Sequence, residues 1–370
     1  MAVTIITEPQ GALLNTYNNS IIEFGTDLGI AARATILIDE FTFEITPNQG
    51  IFYFNLKEII KVLINQGNFK DTVSVDSPAN YLFPDASLYI EIPFTITVIK
   101  TNGTSETLDK TYKYIKSAKQ IVRSYFDEND LIKFLTPSTD LKAYVTYFEG
   151  YPFDISIYSN IARTVTITHT RTATTLDISL SKGVNRLFLS NGENDNLGFE
   201  EQLPLYVGLN ELEFRVDVDN ALTLFVTKVA VDCGVYLKWF NQNGAWSYWR
   251  FSGIYKDSIN SKALDELNSD FENIEDTVGR VTQTGKTSNV IRSIQSNRLN
   301  DRERLVVSQL FSSPKIFFYN NLELQPFSLL DWKEIDIKSS NQEILNTKLM
   351  LHEYDIKIDL PELYTQSYAG

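Results

Sequence analysis

The residues of this sequence that could perform acid–base or nucleophilic chemistry are few. The 370-residue chain contains two histidines and one cysteine. His169 lies between Thr168 and Thr170 in an alternating run, where a surface-facing ring is expected, and His352 lies beside Glu353. Neither histidine accompanies a GxSxG turn or an HExxH helix, the patterns that mark many hydrolases and zinc peptidases. The sequence therefore predicts that both histidines are structural and that the protein is not an enzyme.

Two acidic clusters, at 127–130 and 193–195, are the remaining candidates for chemistry. A pair of carboxylates suffices for glycoside hydrolysis, and oxygen-rich loops suit Ca²⁺. Both clusters lie in Asn-rich stretches without the spacing of an EF-hand loop, which favours solvated loops over calcium sites and calcium sites over catalysis. One cysteine excludes an intrachain disulfide, and so few Cys and His residues argue against a zinc site. We predict no metal and no cofactor.

An aromatic cluster gives the strongest local pattern. Its two runs flank Asn241-Gln-Asn-Gly244, which is typical of a hairpin turn. Such a hairpin can fill a core or a subunit interface, or it can present rings on which a sugar stacks. We favour packing, and we take the aromatic residues as interface candidates: Tyr236, Trp239, Phe240, Trp246, Tyr248 and Trp249.

Composition limits the classes of partner. The chain carries 33 basic and 47 acidic residues, so its net charge is -14. Repulsion from phosphate disfavours specific nucleic-acid binding, although it suits a non-adhesive lumen through which DNA passes. No apolar run reaches eighteen residues, and the start of the chain lacks the basic region of a signal peptide, so no membrane insertion is expected.

Strand signals dominate the elements that must position these residues. Alternating runs rich in β-branched and aromatic residues predict an all-β fold with minor α content, built from tandem antiparallel β-sandwich domains. Two short helices are expected near 56–66 and 301–311, the second with Asn300 and Glu303 as a capping box. The predicted organisation is an N-terminal sandwich at 1–118, a linker at 119–140, a middle sandwich at 141–230 and a β-rich C-terminal domain at 231–370.

The C-terminal domain contains a polar stretch at 257–300 that is poor in large apolar residues. Its first half is acidic and its second half is basic. Long polar segments inside compact domains are often functional, so we interpret the stretch as an arm whose charges pair with a neighbouring copy, and a mobile surface loop is the alternative. The interface candidates on this arm are Asp265, Glu266, Arg280, Arg292 and Arg298.

Several stretches together resemble virion proteins of tailed phages that infect Bacteroidota. They are Asn19-Ser-Ile-Ile-Glu-Phe24, the helix-like run FNLKEIIKVLI, the aromatic phrase from Cys233 to Phe251, Ser312-Ser-Pro-Lys-Ile-Phe-Phe, and Leu360-Pro-Glu-Leu-Tyr-Thr-Gln366. None of them is a catalytic motif. The resemblance implies a structural tail or tail-tip protein akin to distal tail proteins.

This resemblance implies a mechanical function. The chain is expected to be one subunit of a homo-oligomeric ring that links the tail tube to distal parts and contacts other tail proteins of the virion, after assembly in the host cytoplasm. Two alternatives stay open: a glycan- or receptor-binding adhesin that uses Trp239, Trp246 and Trp249, and a head–tail connector (neck) ring.

Overall fold

The structure is a computed structural model that describes residues 3–26, 31–73, 81–120, 131–137, 142–192, 198–217, 220–230, 233–268, 281–320, 329–338, 345 and 351–360. Strands dominate these ranges, and three short α-helices accompany them. The predicted all-β fold with minor α content is confirmed. In the ranges described, no helix is both long and apolar enough to cross a membrane.

The N-terminal block is a sandwich of two sheets. Its strands are β1 (Thr4–Thr7), β2 (Leu14–Asn15), β3 (Ile21–Gly25), β4 (Ala31–Ile38), β5 (Phe41–Ile45), β6 (Ile51–Asn55), β7 (Leu82–Pro84), β8 (Tyr89–Lys100) and β9 (Ser105–Ile115). One sheet has the order β1-β3-β6 and the other β2-β9-β8-β4-β5. Their inner faces enclose a core that includes Phe24, Ile36, Phe52 and Ile96.

Helix α1 (Lys57–Ile64) closes one side of this sandwich. The side chain of Asn55 accepts a hydrogen bond from the backbone N–H of Lys57, as expected of a capping residue. Ile60, Leu63 and Ile64 are buried and form the apolar face of the helix. The predicted helix at 56–66 is therefore confirmed, with bounds shorter by one residue at the start and two at the end.

The middle block contributes two further sheets. Its elements are β10 (Ile132–Phe134), β11 (Ala143–Phe148), β12 (Pro152–Ser159), β13 (Arg163–His169), β14 (Thr174–Leu180), β15 (Gly183–Asn191), α2 (Phe199–Gln202), β16 (Gly208–Arg215) and β17 (Ala221–Val229). The four-stranded sheet has the order β10-β12-β15-β7, and the five-stranded sheet has the order β11-β17-β16-β13-β14. Nearly all pairs in the molecule are antiparallel, but β11 with β17 and β2 with β9 are parallel.

Two strands depart from the predicted division of the chain. β7, from the N-terminal block, pairs with β15, and β10 lies inside the segment that we interpreted as a linker. Ile132 and Phe134 of β10 are buried, so two apolar positions are enough to hold this short strand on β12. The part of 119–140 around β10 is therefore not a linker.

The C-terminal block forms a seven-stranded sheet with the order β19-β18-β24-β25-β26-β23-β20. Its elements are β18 (Gly234–Phe240), β19 (Trp246–Ser252), β20 (Lys256–Ala263), β21 (Glu266–Asn268), β22 (Val281–Gln283), β23 (Lys286–Gln295), α3 (Asp301–Val307), β24 (Ile316–Tyr319), β25 (Trp332–Ile337) and β26 (Asp355–Asp359). Asn300 and Glu303 form the predicted capping box of α3, which continues as a 3-10 helix through Ser312.

The four-stranded sheet lies between the five-stranded sheet of the middle block and the seven-stranded sheet of the C-terminal block. Every residue of β12 and β15 is buried. On one face, Phe134 contacts Phe214 of the five-stranded sheet, and on the other face Arg186 contacts Tyr248 of the seven-stranded sheet. The middle and C-terminal blocks consequently share one hydrophobic core, and the predicted boundary at 230 does not separate two cores.

Candidate functional site

The aromatic hairpin is β18 and β19, which pair over Gly234–Phe240 and Trp246–Ser252. All six predicted aromatic residues are buried: Tyr236, Trp239, Phe240, Trp246, Tyr248 and Trp249. Their rings pack against aromatic residues outside the hairpin, for example Trp249 on Phe148 and Tyr236 on Tyr151. The hairpin is therefore a core element of this chain. The hypothesis that it presents an exposed stacking platform for sugars is wrong, because neighbouring layers cover its rings.

The turn of the hairpin connects it to the N-terminal block. Asn241 accepts hydrogen bonds from the backbone N–H groups of Asn243 and Ala245, which fixes the turn. The backbone N–H groups of Ala118 and Lys119 donate to the carbonyl of Gln242. These bonds place the tip of the hairpin directly against the chain that follows β9.

Gly244 is the residue on which this contact depends. Its φ is +87°, and a Cβ atom there would lie 2.9 Å from the carbonyl oxygen of Lys116. We expect Gly244→Ala to lower the free energy of unfolding by about 1–3 kcal/mol, because left-handed backbone and close approach both disfavour a side chain. Urea unfolding followed by circular dichroism measures this. The matched control is Gly67→Ala, where nothing lies within 4 Å; an equal effect in both variants would contradict the expectation.

A buried charge network joins the three blocks of the chain. It consists of Asp71, Asp85, Asp154, Arg186 and Lys238. The guanidinium of Arg186 donates from Nη1 to Asp71 at 2.6 Å and from Nε to Asp154 at 3.0 Å. Lys238 Nζ donates to the second oxygen of Asp71 at 2.8 Å.

A tyrosine hydroxyl and an aromatic ring also contact the charged members of the network. The hydroxyl of Tyr248 donates to Asp154, and Arg186 Nη2 lies 3.4 Å from the same hydroxyl oxygen. Lys238 Nζ lies 4.1 Å from the centre of the Trp332 ring, a cation–π contact. The members come from the segment after α1, from the turn between β7 and β8, from β12 and β15, and from β18 and β19. The network therefore fixes the relative positions of these elements.

The pKa values of the network follow from burial and from the facing charges. Burial alone raises the pKa of Asp71, but the charges of Arg186 and Lys238 outweigh burial and hold that pKa well below its ordinary value. Burial lowers the pKa of Lys238, and the carboxylate of Asp71 opposes this. Burial and the adjacent Asp154 raise the pKa of the Tyr248 hydroxyl well above its ordinary value.

Lys116 adds a sixth charge beside the network. Its side chain is buried, and Nζ lies 4.1 Å from the centre of the Phe69 ring. Burial lowers the pKa of Lys116, whereas the charge of Asp85 raises it. With Lys116 included, three cations face three carboxylates, so the junction of the blocks is close to electrically neutral. The arrangement stabilises the fold, because its charged groups are paired with one another.

The lowered pKa of Asp71 predicts a loss of stability in acid. A carboxyl group whose pKa is lower in the folded state contributes stability above its unfolded value, which is about 3.9, and loses it as the pH falls toward the folded value. We expect the free energy of unfolding to fall below about pH 4 by up to about 1.4 kcal/mol per pH unit from this group. Urea titrations at pH 7, 5, 4 and 3 measure the slope.

Asp71→Asn is expected to be less stable at pH 7 and to have a flatter profile below pH 4. The control is Asp336→Asn, at an exposed position of β25. An unchanged acid slope in Asp71→Asn would show that Asp71 does not carry the effect.

In the described parts of the predicted arm at 257–300, the strands on either side of 269–280 form a β-ribbon. β20 and β23 pair in register from Lys256 with Ser293 to Ala263 with Lys286, and β21 pairs with β22 beyond them. Arg292 donates to Asp257 within the ribbon, and Arg298 forms an ion pair with Glu353. The expectation that these two arginines pair with a neighbouring copy is thus not supported, because each has a partner in its own chain.

The other charged candidates on the ribbon differ in their placement. Asp265 and Glu266 are exposed at the outer end of the described ribbon, where Leu264 and Leu267 are 44% and 56% exposed. Arg280 lies outside the described residues. The structure therefore leaves Asp265 and Glu266 exposed and, among the described residues, places neither of them against the aromatic hairpin.

The remaining candidates for chemistry are the two histidines, which the structure describes, and the two acidic clusters. His169 is buried, not surface-facing as expected, because it shares the buried face of β13 with Val165 and Ile167. Its ring faces Asn210, whose Oδ1 lies 3.1 Å from Nε2. His352 is buried near α3, with Nε2 3.8 Å from Asp301. The acidic cluster at 127–130 and Glu193 and Asp195 of the second cluster lie outside the described residues. Within the described ranges, no group of three or more His, Cys, Asp or Glu side chains could hold a metal ion.

A pocket of about 110 Å³ opens beside β19, where the five-stranded sheet and α3 meet the hairpin. Tyr144, Leu209, Trp246 and Val306 supply apolar surface, and Arg302 lies at its rim. The guanidinium of Arg302 is 3.6 Å from the centre of the Tyr144 ring, which stacks in turn on Phe225. Sequence reasoning did not identify this pocket, because its walls come from seven separate segments of the chain.

Comparisons with known proteins identify no family. No protein-family model matches the chain, and no curated protein matches it significantly. Among solved structures, the titin Ig tandem A164-A165 is 10% identical with a TM-score of 0.26, covering 62% of this chain and 97% of that chain. The fibronectin(III)-like modules of Clostridium thermocellum CbhA are 9% identical with a TM-score of 0.20, covering 62% and 94%. At such scores these likenesses indicate neither an activity nor a partner for this chain.

Proposed function

We propose that this protein is a structural subunit of a tailed-phage virion, one copy in a ring of the tail or tail tip that links the tail tube to distal parts. Its role is mechanical and not enzymatic. The sequence resemblance described above supports this proposal, and so does the architecture. The ring would contact other tail proteins, and its acidic surface suits a lumen for DNA.

The observation that carries the proposal is the buried charge network. A subunit that transmits load between its neighbours needs blocks that keep fixed orientations, and removing one partner of a buried ion pair is strongly unfavourable. Here Arg186, a residue of the middle block, binds carboxylates from the N-terminal segment and from its own sheet, while Lys238 extends the contact to the C-terminal sheet. Separating the blocks would leave charges unpaired.

Sizing of the purified full chain and a complementation assay test this function. We expect assemblies larger than a monomer at high protein concentration, and we expect phage particles made without the chain to lack complete tails until it is supplied. A strict monomer that fails to join tails would contradict the proposal. A head–tail connector ring would share these properties, and gold labelling at the neck instead of the tail tip would identify it.

The adhesin alternative has weaker support. The rings of Trp239, Trp246 and Trp249 are buried, and among the described residues the pocket beside β19 is where a glycan would reach this hairpin. Glycan-array binding that disappears in Trp246→Ala, with the fold retained, would favour the adhesin over the ring.

A further inference from the structure

The seven-stranded sheet has two different edges. β20 forms one edge, and it continues into the β21–β22 pair, whose strands pair only with each other among the described residues. β19 forms the opposite edge, and the pocket that contains Tyr144 and Arg302 lies beside it. Six strand spacings separate these edges, a path of about 29 Å along the sheet. One sheet therefore presents a projecting ribbon on one side and a pocket on the other.

The outer end of the described ribbon, residues 264–267, which we call the ribbon tip, combines exposed leucines with carboxylates. Leu264 and Leu267 flank Asp265 and Glu266, and all four side chains are exposed. Ile259, on the same strand edge, is 67% exposed. Backbone bonds from Leu264 to Gly285 and from Thr284 to Asp265 keep the two sides of the ribbon paired up to this point. The described ribbon thus offers apolar and acidic groups together at its outer end.

The pocket offers the complementary groups. Its volume of about 110 Å³ suits one aliphatic side chain, and Leu209 at its margin is 65% exposed. Arg302 is exposed and makes no ion pair within the described chain, since its guanidinium lies over the Tyr144 ring. Two carboxylates also line the pocket, but Glu303 accepts from the backbone of Asn300 and Asp154 is bound by Arg186. Among the residues that line the pocket, Arg302 is the one that carries a positive charge, and its side chain is exposed.

We propose that the ribbon tip of one copy docks in the β19-side pocket of the next copy, with Leu267 or Leu264 in the pocket and Glu266 and Asp265 beside Arg302. This inference rests on the proposed ring function and specifies its subunit contact. The donor and acceptor surfaces differ, so the contact is heterologous; such contacts generate a closed ring or an open filament according to the rotation between copies. Opposite charges at the contact select the partner and speed association.

A charge exchange in the full chain tests the contact. Sedimentation velocity at low salt over a range of concentrations compares the wild type with Asp265→Lys/Glu266→Lys, with Arg302→Glu, and with the triple variant that combines them. We expect each charge reversal to weaken association at least about tenfold and the triple variant to recover most of it, since the opposite signs are restored. Arg302 lies in the first turn of α3, where a glutamate is tolerated, so folding is preserved.

The matched controls are Glu44→Lys and Arg215→Glu, two exposed charge reversals outside the ribbon and the pocket. They should leave association unchanged. As a second measurement, Leu209→Cys and Leu267→Cys together, in a Cys233→Ser background, should yield a ladder of disulfide-linked oligomers on mild oxidation, and neither cysteine alone should.

The outcomes separate this contact from the proposed function. Assembly that resists all three charge variants and gives no ladder would overturn the docking while leaving a ring subunit intact. A wild-type chain that stays monomeric without a ladder also overturns the docking, and its presence in or absence from phage particles then decides the proposed function. Glycan binding that is lost in Arg302→Glu, with assembly unchanged, would assign the pocket to a sugar and contradict the proposal.

Discussion

Replacing Arg186 by methionine is expected to lower the free energy of unfolding by about 3–5 kcal/mol, one of the two largest effects that we anticipate. Arg186 is fully buried and binds Asp71 and Asp154, and its removal leaves these carboxylates without their main counter-charge. Buried charges that lose their partner carry the full penalty of desolvation. Urea unfolding at pH 7, followed by circular dichroism, measures the change.

Three further variants make this result interpretable. Arg215→Met removes an exposed arginine whose partner is Glu213, and it should cost less than about 1 kcal/mol. If Arg186→Met does not fold, Arg186→Lys keeps one charge and should fold with intermediate stability. Arg186→Met combined with Asp71→Asn and Asp154→Asn should recover part of the loss. Equal costs for the variants at 186 and 215 would show that the network does not hold the blocks together.

Replacing Trp239 by alanine is expected to cost about 3–5 kcal/mol, because it empties the volume of the largest fully buried side chain. Trp239 lies on β18 between β19 and β24, opposite Ser247 and Ile316. Surrounding strands are held by their own pairing and can collapse into the cavity only in part. Chemical unfolding followed by far-UV circular dichroism avoids the loss of the tryptophan signal.

Tyr53→Ala is the control for this substitution, since Tyr53 is 55% exposed on β6 and its truncation removes little buried surface. Trp239→Phe should lie between the two. A cost below about 1 kcal/mol for Trp239→Ala would contradict the placement of the aromatic hairpin in the core.

Local chemistry made the hairpins and helices predictable. Asn241 to Gly244 connects β18 and β19, as its turn residues indicated. The Asn300–Glu303 capping box was equally predictable from the sequence, since both partners lie within one helical turn. Each of these features depends on residues that are neighbours in sequence, so no knowledge of the tertiary structure was needed.

The charge network was not predictable in the same way. Arg186 and Asp71 are 115 residues apart, and Lys238 and Asp71 are 167 residues apart. One signal was present: Lys238 interrupts the apolar run VYLKWF, and Arg186 interrupts the strand-like run VNRLFL. A lone charge inside a buried run requires a partner, but sequence alone does not identify that partner.

The ribbon shows why polar strands are hard to predict from the sequence pattern. The stretch at 257–300 is poor in large apolar residues, so it was interpreted as an arm or a loop, yet β20 and β23 lie within it. An edge strand exposed on both faces, as β20 is, lacks the alternation that marks a half-buried strand. The same exposure leaves its acidic, leucine-bearing tip available to a neighbouring copy.

Electron microscopy of phage particles with gold-labelled antibody against this chain tests the central claim most directly. We expect label confined to one position on the tail, and we expect averaged images to show a ring of identical copies there. Particles with complete tails that carry neither label nor a ring of this protein would contradict the account.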